Sequence, residues 1–169
     1  MNTIMQKTIV NCLALCMAIV CIASVSLADQ SPAKGIIFPI LYPKISSKFG
    51  IRKHPVLKYK AHHSGIDLAV PRNSHVRAVS EGTVVFADEY GGYGKLVTIN
   101  HKDGFSSLYG HLNEITVNIG DKIMAGQVIG RVGETGRATG NHLHFEWRKN
   151  GVAINPLEVF PDLASRAQG

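Results

Sequence analysis

The chain has 169 residues, is 45% hydrophobic, and carries 18 Lys and Arg against 12 Asp and Glu, a formal charge of +6. That length suffices for one domain with a real core and leaves too little for two. The charge is scattered, with no run of one sign, so it marks no nucleic-acid patch; outside a cell it suits an anionic envelope.

In chain order, the first element is a leader. Lys7 is the only charge before an apolar run from Ile9 to about Val25, which closes on Ser26-Leu27-Ala28 ahead of Asp29. Small residues at the −3 and −1 positions give residues 1–28 the layout of a secretory signal peptide. The competing reading, a retained anchor, needs about 20 apolar residues and no cleavage site. A lipoprotein would place a small residue before its cysteine, but Cys16 follows Leu15 and Cys21 follows Val20. With Cys12 these are the only cysteines, so the 141 residues after the leader have none. An exported protein of that kind is held by its core or by a metal.

The expected organisation is then a signal peptide at 1–28, an N-terminal strap at 29–45, one domain at 46–160 and a C-terminal tail at 161–169. No membrane span remains after cleavage, no nucleic acid is bound, and the chain is expected to act as a monomer.

The domain reads as almost entirely β. Short runs rich in Val, Ile and Thr recur at His75–Val79, Thr83–Ala87, Leu96–His101, Ser106–His111, Gln127–Val132 and His142–Arg148, with glycine-containing turns between them. Many short strands with regular turn signals predict an all-β fold, an antiparallel β-sandwich or partly open barrel with little helix. Asp103-Gly104 and Asn150-Gly151 sit between alternating segments, as hairpin turns with positive φ require. Asn155-Pro156 before LEVF predicts one short capped helix.

All eight histidines lie after the leader: His54, His62, His63, His75, His101, His111, His142 and His144. In HLHFEW (142–147), strand alternation puts His142, His144 and Glu146 on one face and Leu143, Phe145 and Trp147 on the other, in a core. In HHSGIDLAV (62–70), Gly65 and the β-branched tail favour an extended segment in which His63 and Asp67 point together. Gly65 between them admits a close backbone. Zinc takes imidazole nitrogen and carboxylate oxygen, usually four-coordinate. His63, Asp67 and one imidazole of the 142/144 pair supply three ligands and leave a vertex for water, the mark of a catalytic rather than structural ion. SLYGHL (107–112) ends a predicted hairpin strand at His111. Glu146 reads as a surface strand glutamate more readily than as a residue supporting a ligand. His101, before a turn, reads as solvated, and His62 as a spectator on the opposite face from His63.

Residues 46–160 resemble the catalytic domain of the lysostaphin-type, LytM-like (M23) zinc endopeptidases of peptidoglycan. The matching stretches run in family order: SSKFGIRKHP (46–55), HSGIDLAV (63–70), VRAVSEGTVVFA (76–87), GYGKLVTINH (92–101), SLYGHL (107–112), GDKIMAGQVIG (120–130) and TGRATGNHLHFE (135–146). The resemblance implies a barrel-sandwich fold of the duplicated hybrid motif type. It implies Zn2+ held by His63, Asp67 and His144, with His142 and His111 as the unliganded histidines of acid–base and transition-state work. The activity implied is hydrolysis of peptide bonds in peptidoglycan stem peptides or cross-links, in a periplasm or outside the cell. The alternative is a non-catalytic wall-binding module that activates another hydrolase, as in relatives that have lost metal ligands; here all five positions are intact. Arg52 could meet a substrate carboxylate, and Tyr59, Tyr90 and Tyr93 could wall a groove. VRAVSEGTVV and NIGDKIMAGQVIG also resemble the half-motifs of lipoyl carrier domains, a reading in which export and the histidines have no role.

Overall fold

The computed structural model of the chain describes residues 37–53 and 60–160. The leader at 1–28, His54, Tyr59 and the tail at 161–169 lie outside the described residues, as does the side chain of Arg52.

Twelve strands make up most of what is described: β1 (Lys44–Ser47), β2 (Gly50–Lys53), β3 (Lys60–His63), β4 (Ile66–Ala69), β5 (His75–Arg77), β6 (Gly82–Glu89), β7 (Lys95–Asn100), β8 (Phe105–Ile115), β9 (Lys122–Ile123), β10 (Val128–Val132), β11 (His142–Lys149) and β12 (Val152–Ile154). A one-turn helix, α1 (Pro156–Val159), follows. Every ladder is antiparallel. One open sheet runs in the order β1-β4-β11-β8-β7-β6-β9, with β12 beside β11 and β10 bridging β5 and β8; β2 and β3 form a separate ribbon. The all-β, antiparallel expectation holds, and the sheet does not close into a barrel.

The six expected strands all occur, with ends shifted by a few residues. The turns behave as their residues dictate. Asn150 and Gly151, between the paired Lys149 and Val152, adopt φ of 49° and 81°, the backbone that two-residue hairpin loops need and Asn and Gly tolerate. Asp103 and Gly104 also have positive φ, 57° and 71°, but in a longer connection that includes a single 3-10 turn at Lys102–Gly104. At α1, the Asn155 side chain accepts a hydrogen bond from the Leu157 amide at 3.1 Å, which satisfies one donor of the helix start.

β11 is the strand that organises the site. Leu143, Phe145 and Trp147 enter a core shared with Ile66, Leu68, Tyr109 and Ile129, each fully buried apolar side chain contributing about 1.5–3 kcal/mol. The opposite face carries His142, His144 and Glu146. Pairing sets who meets them: His144 stands opposite Asp67 of β4 on one side and Gly110 of β8 on the other. A further device places His111. Tyr109 pairs with Val97 but Leu112 pairs with Lys95, so β8 has one residue more than β7 across this stretch. His111 lies in that bulge with φ of 60°, a left-handed conformation that costs a non-glycine residue energy and re-aims its side chain. The expectation that His111 ends a strand is corrected accordingly: β8 continues to Ile115.

Candidate metal centre

His63 closes β3 and Asp67 is the second residue of β4; Ser64 and Gly65 form the step between them. The step passes directly over β11. A Cβ built on Gly65 would lie 2.3 Å from the Phe145 carbonyl oxygen and 2.9 Å from Glu146 Cγ, so only glycine allows this approach. The β4–β11 register sets Asp67 beside His144, and the close approach at Gly65 lets the chain bring His63 to the same face of a strand some eighty positions downstream.

Three side-chain atoms converge there. His63 Nε2 lies 3.1 Å from Asp67 Oδ1 and 3.1 Å from His144 Nδ1, and His144 Nδ1 lies 2.9 Å from Asp67 Oδ1. All three residues are buried. The other ring nitrogens explain why these atoms meet. His63 Nδ1 donates to the Lys48 carbonyl at 2.9 Å, and His144 Nε2 donates to Glu146 Oε1 at 2.9 Å. With those protons assigned and both rings neutral, two imidazole lone pairs and a carboxylate oxygen face one another with no hydrogen between them, and only a cation or a second proton on a ring relieves the contact. Such a cluster calls for a cation. The titration behaviour expresses the same demand. Burial opposes charge on Asp67, yet hydrogen bonding to His144 and His63 holds its carboxyl far below the usual range. Burial likewise works against protonating His144, but bonding to Asp67 and Glu146 prevails and pushes it up to about 8. Tetrahedral ligands about 2.0 Å from zinc stand about 3.3 Å apart; the observed triangle is close to that, and its N,N,O donor set suits the ion.

Glu146 corrects the sequence expectation. It is 0% exposed, not a surface residue. Its Oε1 accepts from His144, from the Tyr93 hydroxyl at 2.8 Å and from Ser64 Oγ at 2.5 Å, while its Oε2 accepts from Arg148 Nε at 2.6 Å. Burial alone would raise its pKa, but these hydrogen bonds, His144 first and then Ser64, hold it at about 2.

His142 and His111 stand beside the triad, ring centroids 4.7 Å apart. Each has Nδ1 tied to a backbone carbonyl, His142 to Gly140 and His111 to Thr135, both at 2.8 Å. Both therefore keep the proton on Nδ1 and leave Nε2 as an acceptor. Burial, then the neighbouring His142, lowers His111 to about 4, so it is neutral at ordinary pH. The five residues form the floor of a cleft of about 500 Å³ whose walls include Tyr90, Tyr93 and Arg137, a size that suits a peptide segment.

Of the other described histidines, none joins the triad. His75 is exposed at the start of β5, and His62 is exposed with its ring edge on Phe49. His101 is not the solvated residue expected. Its Nδ1 donates to the Glu81 carbonyl at 2.7 Å, Ser107 Oγ lies 2.8 Å from its Nε2, and its ring packs on Trp147.

Residues 61–156 match the family described as Peptidase family M23. Over 121 residues, 72% of the chain, it is 46% identical to the DD-carboxypeptidase/endopeptidase Mpg of Neisseria meningitidis, of whose length it spans 28%. Among solved structures, a zinc-containing peptidase from Vibrio cholerae matches with a TM-score of 0.66 at 34% identity, covering 70% of this chain and 37% of that one. The catalytic domain of the antimicrobial peptidase lysostaphin from Staphylococcus simulans matches with a TM-score of 0.64 at 30% identity, covering 70% of this chain and 92% of that one. More than half of the sequence falls within the match and the folds agree over the same region: the chain belongs to peptidase family M23.

Proposed function

We propose that the protein is a zinc-dependent endopeptidase that hydrolyses peptide bonds in the stem peptides or cross-links of peptidoglycan. Residues 1–28 act as an export signal, so it works in the periplasm or outside the cell. The observation that carries the reading is the triangle of His63, Asp67 and His144, in which both imidazoles have their tautomers fixed from outside and both point a lone pair inward. A zinc ion held there supplies Lewis acidity, a water that ionises near pH 7 and about one net positive charge against a developing oxyanion.

The chain's own residues do the rest. Glu146 and the Lys48 carbonyl hold the two ligating rings in place. His142 and His111, each with Nδ1 held by a backbone carbonyl and Nε2 left to accept, are assigned to proton transfer: they take a proton from the attacking water and return one to the departing amine. The cleft aligns an extended peptide over this floor.

The test is incubation of the zinc-loaded protein with purified sacculi, with and without a chelator, and mass spectrometry of what is released. Fragments cut within stem peptides or cross-links, only when chelator is absent, are expected. Release that ignores chelator, or none from a fully zinc-loaded sample, would replace this reading with the non-catalytic wall-binding one.

A further inference from the structure

The cleft contains one charged side chain that the chemistry above does not use. Among the described residues lining it, Asp67 is the only carboxylate, and Arg137 is the only cation apart from the histidines. Arg137 is exposed, and no carboxylate pairs with it among the described residues.

Its position is fixed by the backbone. The Arg137 amide donates to the Gly92 carbonyl at 2.8 Å. Next to it, two glycines interlock: a Cβ on Gly136 would lie 2.3 Å from the Gly94 amide, and one on Gly94 would lie 2.4 Å from Thr135. The guanidinium lies over Gly92, where a Cβ would come within 2.7–3.1 Å of its Nε, Nη2 and Cζ; the bare glycine makes the room it occupies. The same segment reaches the reacting centre, because the Thr135 carbonyl, two residues earlier, orients His111. Across the cleft wall, Tyr90 stacks on Tyr93 with ring centroids 6.2 Å apart and is 59% exposed. The result is a cation on a braced loop beside an aromatic wall. Its charge is satisfied by nothing in the described structure.

We propose that Arg137 is a substrate-binding residue that takes a free carboxylate of the peptide, C-terminal or side-chain, and so sets which peptides the cleft prefers; this rests on the peptidase reading. A guanidinium matches a carboxylate in two parallel hydrogen bonds, a geometry lysine cannot copy. Arg137 and His111 line the same cleft, so the recognised carboxylate lies on the peptide that the cleft holds over the reacting centre.

The experiment uses the zinc-loaded full chain and synthetic stem peptides in matched pairs. One pair differs by amidation of the C-terminal carboxylate, another by amidation of a side-chain carboxylate. In one of the two pairs, kcat/KM of the wild type is expected to fall by roughly 10- to 100-fold on amidation, the range for charged hydrogen bonds, and that pair identifies the carboxylate. In Arg137→Gln the acid-to-amide ratio drops toward 1 with zinc content and Tm unchanged. Gly92→Ala, which crowds the guanidinium without removing it, gives an intermediate ratio. Arg137→Gln slowing acid and amide alike, or equal ratios in variant and wild type for both pairs, would overturn the proposal. Calorimetric titration with the same pairs reads the preference without turnover. An Arg137-dependent preference for the acid without cleavage would fault the peptidase reading alone, and no such preference in binding would fault Arg137.

Discussion

Glu146 Oε1 accepts the Nε2 proton of His144 at 2.9 Å, two residues along the same face of β11, and this contact decides which nitrogen His144 presents to Asp67. The carboxylate is in turn held by Ser64, Tyr93 and Arg148, so residues from three parts of the chain fix one imidazole. Glu146→Gln is expected to weaken zinc binding about 10- to 100-fold, the usual effect of losing the partner of a ligating histidine. Competition against a chelator of known affinity measures it. An unchanged zinc affinity would show that His144 is oriented by packing alone.

The two histidines of HLH are expected to separate on substitution. His144→Ala removes a donor of the triangle and loses zinc on dialysis. His142→Ala and His111→Ala keep zinc but lose turnover by about 10²- to 10⁴-fold, the range for removing a proton-transfer group. Elemental analysis of dialysed variants beside kcat on a peptide substrate reads both effects. Equal zinc depletion in His142→Ala and His144→Ala would show the roles misassigned.

What was legible in the sequence follows from period. Two-residue alternation in HLHFEW alone separates the site face from the core face, and Asn150-Gly151 states its own turn. The meeting of residues 63 and 67 with residue 144 was not legible from spacing, because it depends on β4 pairing with β11 in one register; there the family resemblance, not the pattern, named His144. Glu146 was misread because alternation says which face a residue occupies but not whether another segment covers that face. The signal was present in Gly65, whose missing side chain lets the 63–67 step lie over β11, and in Arg148, two residues on, which offers the buried carboxylate a counter-charge. His111 looked like a strand end because a bulge is an insertion relative to a partner strand, and a partner strand cannot be seen in one sequence. His101 looked solvated beside its turn, since nothing local revealed that Trp147 would stack on it.

Gly65 gives a test of the crossing itself. Any β-carbon there meets the Phe145 carbonyl at 2.3 Å, and backbone on both sides leaves little room to yield. Gly65→Ala is expected to destabilise the fold by about 3 kcal/mol or more, at or above the usual range for overpacking, and to weaken zinc binding as residues 63 and 67 lift from β11. Denaturant unfolding and a zinc titration check both. A loss of zinc affinity with unchanged stability would place the strain in the site and not in the sheet.

His101 sets the last expectation, on acid stability. Its proton sits on Nδ1 against the Glu81 carbonyl, and its Nε2 accepts from Ser107, which also contacts the buried Tyr109 hydroxyl at 2.9 Å. A second ring proton would reverse the Ser107 bond and charge a ring packed on Trp147. The nearest charges, Lys102 and Glu81, are paired with each other at 2.8 Å and leave little net field. Burial accordingly lowers the His101 pKa, with the Glu81 carbonyl opposing. The unfolded chain takes up this proton near pH 6.5, the folded one only at lower pH. Between those points the unfolded state binds more protons, so the stabilisation present above about pH 6.5 is lost as pH falls toward the folded pKa. His111, also lowered, acts in the same direction. Melting temperatures from pH 7.5 to 5.5 at saturating zinc are expected to fall less steeply for His101→Gln than for the wild type, because the difference in slope isolates this one proton. Parallel slopes would mean that the ring is protonated in the fold without cost, and that Ser107 can turn its hydroxyl to suit.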